Sequence, residues 1–197
     1  MTNEEKATTF QHCFFPPKPP TSGLPEYPPC VKYKFRLTKA WLHRQISRLR
    51  PFKAPGEDGI PNVVLKETVD LILPHLIQIF RVVFKLDTYS DHWHTWNTIV
   101  LHKPGKARYD VPKAYQPIAL MNTIGKLLSA IVAEDMTHMC EKHCLLPDMH
   151  FGGRPGKNAS DAMQYLVNRV KGAWRRHKVA TVLFLDIEGA FPNAVRH

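Results

Sequence analysis

Acidic residues are scarce in this sequence. Of 197 residues, 17 are Asp or Glu against 27 Lys or Arg, a formal charge of +10 with the 11 histidines counted neutral. A surplus of that size favours a polyanionic partner, because each neutralised phosphate releases condensed counterions. Long apolar runs are missing too. The most apolar stretch, Leu71 to Leu86, is interrupted by Pro74, His75, Gln78, Arg81 and Lys85, so it does not read as a membrane span. Cysteine is sparse, at positions 13, 30, 140 and 144. The paired C-x-x-C or H-x-x-x-H spacing of a zinc site is absent around Cys140 and Cys144, which read instead as core residues one helical turn apart. The first residues carry Glu4 and Glu5 and lead into no apolar run, unlike a secretory signal. Reduced intracellular thiols are therefore expected. No internal repeat is visible.

Proline is plentiful early in the chain, in PPKPP and then LPEYPP. Residues 1–35 are accordingly expected to be extended or disordered, as a linker or a partner-binding polyproline segment. A helix is expected from Thr38, which caps it, with Trp41, Leu42, Ile46 and Leu49 at helical spacing and Pro51 ending it. Two more follow over about 62–70 and 74–86, the second opening on Pro74 in the tolerated first turn. NTIVLHK reads as a strand. Asn122 or Thr123 opens a long helix to about Cys140, with Ile124, Leu127, Leu128, Ile131 and Val132 as its stripe. A helix over about 160–176 would bury Met163, Leu166, Val167 and Val170, and the basic run RRHK at its end suits the negative end of the dipole. A last strand, 179–187, would carry Asp186. Helices first and strands separated by long helical excursions point to an α+β architecture.

Asp186 follows the apolar run Val182 to Leu185. A carboxylate there either sits at the exposed end of a strand and caps a turn, or holds a hard divalent cation. Mg²⁺ takes oxygen ligands and typically uses one or two carboxylates plus substrate phosphates. Spacing leaves both readings open. Three glycine-bearing basic loops stand apart: Lys53 and Gly56 in KAPGEDG, Lys103, Gly105 and Lys106 in HKPGK, and Arg154, Gly156 and Lys157 in GGRPGKN. Glycine lets backbone N–H groups approach a phosphate and the cations supply charge, although K-P-G is also ordinary turn chemistry. GGRPGKN is not a nucleotide-binding P-loop. Its first glycine is misplaced and Asn158 stands where Ser or Thr is required.

Taken in order, five segments resemble the reverse transcriptases of non-LTR, LINE-type retrotransposons. KAPGEDGIP is similar to the family's KAPGPDGI loop, and TIVLHKPGKARYDVPKAYQPIAL to its first fingers motif. NTIGKLLSAIVAE is similar to the fingers helix that follows, HFGGRPGKNASDA to the R-P-G motif, and FLDIEGAFPNA to the first palm motif. The resemblance covers about residues 38–197. It implies a helical fingers lobe over 36–178 and the first strand of a polymerase palm over 179–197, truncated there.

The family's roles then fall on these positions by implication. Asp186 would be the catalytic, metal-binding aspartate, assisted by the backbone carbonyl of Ile187, with two Mg²⁺ ions in the full-length parent. Gly189 and Ala190 would face the triphosphate of an incoming nucleotide, and Phe191 would crowd a ribose 2′-OH. Lys103 and Gln116 would also lie on the nucleotide side. Lys53, Lys106, Gly153, Arg154 and Lys157 would hold nucleic-acid backbone. The implied partners are an RNA template, a DNA primer and deoxynucleoside triphosphates, with no membrane, and the implied location of the active parent is the nucleus. This sequence departs from the pattern in three places. Gln116 replaces the usual Arg and Pro192 a frequent Asp, and no Asp-Asp dipeptide occurs anywhere in the chain. The expectation is a polymerase fragment inactive by itself. A non-catalytic RNA- or DNA-binding remnant and a translated relic without function are the alternatives.

Overall fold

Thr38 starts the first core helix as its spacing predicts. In the computed structural model, which describes residues 2–17 and 35–187, its hydroxyl accepts the Trp41 N–H at 3.1 Å and opens α2, Lys39–Arg48. Leu42 and Ile46 of α2 are fully buried. The helix is numbered second because another precedes it. Residues expected to be extended hold α1, Asn3–Phe14. No proline occurs before Pro16, and Thr2 and Glu5 form a reciprocal capping box that satisfies two otherwise orphaned N–H groups. The proline-rich remainder of that expectation, 18–34, lies outside the described residues.

Two further helices follow, α3 at Asn62–Glu67 and α4 at Val69–Leu86. Pro74 does not open a helix as expected; it sits inside α4, five residues after its start. Its ring costs α4 one backbone hydrogen bond. The apolar face of α4 repays this by burying Leu76, Ile77 and Phe80, and α2 packs against it. A short helix, α5 at Asp91–His94, leads to the hairpin β1, Asn97–His102, and β2, Tyr115–Leu120. The strands pair antiparallel with Ile99 opposite Ile118 and Leu101 opposite Gln116. A 3-10 turn at Pro112–Ala114 closes the loop between them. The long helix α6 spans Thr123–Lys142 and α7 spans Ala159–Trp174.

The chain forms two compact units, one built on Met1–Ser129 and the other on Ala130–Asp186. In the first, Leu37, Leu42, Ile46, Leu65, Leu76, Ile77, Phe80, Leu127 and Leu128 make the core. In the second, α7 opens on a capping box of Asn158 and Asp161, but its expected apolar face is not sealed: Met163 is 60% and Val167 38% exposed. Residues 179–187, expected as a strand, form none. Leu183, Phe184 and Leu185 there are about four-fifths exposed, at 79%, 80% and 85%. Apolar alternation sets which face a strand would bury, but only a partner ladder makes it a strand. The described architecture is α+β, mostly helical with one two-stranded antiparallel sheet. No helix among the described residues is long and apolar enough to cross a membrane.

Candidate nucleic-acid interface

The glycine loop KAPGEDG is built against the start of α6. Gly56 is buried, and a Cβ on it would lie 2.4 Å from Asn122 Oδ1 and 2.5 Å from the Asn122 backbone nitrogen. Asn122 in turn accepts the Asp58 N–H at 3.2 Å and donates through Nδ2 to the His92 carbonyl at 2.7 Å. Thr123 Oγ1 donates to the Ile60 carbonyl at 2.6 Å, and Lys126 Nζ to the Ala54 carbonyl at 3.0 Å. The loop's central glycine therefore serves close packing of backbone on backbone, a role its sequence does not separate from phosphate approach.

Lys126 is the cation that sequence reasoning passed over. With Lys53 it lines a cavity of about 450 Å³ whose walls include Ile99, Leu101 and Ile118 of the hairpin. Burial holds the Lys126 ammonium below the usual lysine range, and the nearby Asp58 charge partly offsets that. Residues directly opposite in an antiparallel pair share a face. Since Gln116 pairs with Leu101 and Ile118 with Ile99, Gln116 lies on the cavity side of the hairpin. The only advance signal for Lys126 was its place one turn after Asn122 in NTIGKLLS.

Lys103 and Lys106 occupy the turn beyond β1. Lys103 is committed to holding that turn: its N–H meets the Ala114 carbonyl at 2.8 Å, its ammonium the Lys113 carbonyl at 3.2 Å, and its own carbonyl accepts the Tyr109 hydroxyl at 2.9 Å. Lys106 is exposed beside Gly105, which adopts a φ of +75°. The Phe10 ring of α1 packs against that of Tyr115 at a tilt of 57°, centroids 4.7 Å apart, near the same turn.

In the second unit, Gly153, Arg154 and Lys157 share one loop. Arg154 does not project as a free cation. Its Nε and Nη2 donate to the two carboxylate oxygens of Glu141 on α6 at 2.7 and 2.8 Å, and Nη1 donates to the Pro147 carbonyl at 2.9 Å. Its side chain is only 10% exposed. Those donated hydrogen bonds, and then the Arg154 and Lys157 charges, hold the Glu141 carboxyl below the usual range against an opposing desolvation, and the same pairing raises Arg154. Lys157 lies over the Phe151 ring at 5.3 Å and donates to the Asp148 carbonyl. Gly153, at a φ of +66°, supplies the left-handed residue the loop needs.

Asp186 and Ile187 are exposed and lie outside any strand. Gly189, Ala190 and Phe191 lie outside the described residues. Among the described residues no three His, Cys, Asp or Glu side chains converge. A hard divalent cation needs several oxygen donors, so the residues described around Asp186 do not by themselves compose a metal site.

No family model matches the chain. It is 30% identical over 146 residues to the RNA-directed DNA polymerase from mobile element jockey of Drosophila funebris, covering 74% of this chain and 16% of that one. To the jockey polymerase of Drosophila melanogaster it is 29% identical over 146 residues, with the same coverage of 74% and 16%. A 115 kDa protein of the type-1 retrotransposable element R1DM of Drosophila melanogaster is 28% identical over 184 residues, covering 91% of this chain and 17% of that protein. The proteins it matches include RNA-directed DNA polymerases of mobile elements. Over 71 to 74% of its length the chain is similar, at 26 to 30% identity, to RNA-directed DNA polymerases of LINE-type retrotransposons, and it resembles a fragment of one. It spans 14 to 17% of the length of the curated relatives it matches.

Proposed function

We propose that this chain is the fingers region, with the opening of the palm, of an RNA-directed DNA polymerase whose whole form copies an RNA template from a DNA primer. The observation that carries this is the similarity to mobile-element RNA-directed DNA polymerases over 71 to 74% of the chain. The basic loops fit a role in holding backbone phosphates. Lys53 and Lys126 line a cavity against the hairpin, Lys106 is exposed in the adjoining turn, and the formal charge of +10 suits a polyanion. Arg154 has the part of a positioning residue in this reading, since its guanidinium braces the loop against α6.

Asp186 is proposed as one ligand of a divalent cation, Mg²⁺ by the family's chemistry, with the remaining donors coming from outside the described residues. No adjacent aspartate pair occurs in the sequence, so we expect no nucleotide incorporation by this chain alone. The test is direct. A DNA-primed RNA should bind in fluorescence anisotropy, with affinity falling steeply as salt rises and Lys53→Ala with Lys126→Ala weakening it. In parallel, Mg²⁺ and deoxynucleotides should give no primer extension. Extension that Asp186→Ala abolishes would overturn the inactive reading, and failure to bind primed RNA at low salt would overturn the polymerase reading itself.

A further inference from the structure

The end of α7 carries a cluster that none of the five motifs absorbs. Lys171, Trp174 and Arg175 sit at intervals of three and four residues along α7 and its closing turn, and Lys178 follows the left-handed His177 that ends that turn. All four are exposed, and Trp174 is 63% exposed. No Asp or Glu occurs between Asp161 and Asp186. Among the described residues none of these three cations pairs with a carboxylate.

Helix capping accounts for only part of this run. Arg176 Nε donates to the Gly172 carbonyl at 3.0 Å, so Arg176 closes the helix. The backbone closes it too: the Lys178 N–H reaches the Ala173 carbonyl and the His177 N–H the Trp174 carbonyl, both at 2.9 Å. This is the paired arrangement that normally takes glycine at the left-handed position and an apolar residue after it. Here the left-handed position is His177, at a φ of +54°, and Lys178 follows. Local stability would choose neither residue. An indole is also a poor choice for a face bathed in water, since it leaves a large apolar ring uncovered.

We infer that Lys171, Trp174, Arg175 and Lys178 form a second nucleic-acid contact, one that takes a single strand by stacking a base on Trp174 while the three cations meet flanking phosphates. Successive unpaired bases present an aromatic face and a charge together, which is the combination this surface offers. An anionic lipid headgroup offers the charge without the ring. The inference rests on the polymerase reading above and adds a site to it.

The test is a titration of the whole chain with a fluorescein-labelled oligouridylate across a salt series. Trp174→Ala should weaken binding roughly tenfold with the salt slope unchanged, because stacking is not ionic, while Trp174→Phe retains most of the affinity. Arg175→Ala with Lys178→Ala should make the log–log salt slope shallower by about 1.4, two contacts at about 0.7 each. The oligonucleotide should also quench tryptophan emission in the wild type and in Trp96→Phe but not in Trp174→Phe. Wild-type binding with all these variants unchanged would overturn this site and leave the polymerase reading standing. No binding by the wild type would overturn both. Quenching by phosphatidylserine vesicles without quenching by oligouridylate would overturn the nucleic-acid assignment.

Discussion

Gly56 shows how much a single hydrogen atom in place of a methyl group decides here. The nearest atoms to a Cβ at that position are backbone and the Asn122 amide, which is held by bonds to Asp58 and His92. Nothing in that set is the free end of a flexible chain, so the loop must move. Gly56→Ala should cost about 1–3 kcal/mol, the usual penalty of overpacking. Gly59, with a φ of +65° and no atom within 4 Å of a built Cβ, differs in kind: Gly59→Ala pays only for the left-handed backbone, about 1–2 kcal/mol. Urea denaturation reads both costs, and amide exchange separates the two variants. Gly56→Ala should also unlock the loop and raise amide exchange at Asp58, and Gly59→Ala should leave that amide protected. Both glycines stood in the same motif, and spacing alone did not tell them apart.

Between elements, the clasp from Arg154 to Glu141 ties the loop ahead of α7 back to α6. The Glu141 carboxyl is held below its usual value mainly by the hydrogen bonds it accepts from Arg154. A depressed carboxylate contributes stability above its unfolded value of about 4.3, and loses it as pH falls through the lower folded value. Protection of the loop amides against exchange should therefore be level from neutrality to about pH 5 and fall in more acid solution. Glu141→Gln should remove that fall while lowering the plateau. A wild-type profile flat down to pH 2, or one identical in Glu141→Gln, would contradict the clasp. Exposure of the pair's carboxylate side, 34%, means that salt should erode the contribution as well. The amphipathic periodicity behind α2, α4 and α6 was legible in the sequence, because turn spacing and caps are local properties. The clasp was not, since it joins residues 13 apart through a loop whose path the sequence leaves open.

On the scale of the whole molecule, the apolar segment 179–187 is the largest departure from what a self-contained domain would show. Val179 is 94% exposed, and Phe184, Leu185 and Ile187 are 80%, 85% and 76% exposed. An uncovered run of this kind invites association. Leu183→Lys with Leu185→Lys should lower binding of a hydrophobic dye and delay the onset of light scattering on concentration, with the far-ultraviolet circular dichroism of the helices unchanged. If dye binding and scattering are unaltered, the segment is covered in solution. The sequence by itself determined most of the helices after Thr38, the Thr38 cap, the strand NTIVLH, the charge and the resemblance to retrotransposon polymerases, because each depends on neighbouring residues or on a pattern readable along the chain. Only the tertiary structure decided that Gly56 packs on Asn122, that Arg154 is spent on Glu141, that Lys126 joins Lys53 at the cavity, and that 179–187 pairs with no strand. Those outcomes depend on what lies across from a residue, and a hydrogen bond or a ladder exists only when its second partner is in place.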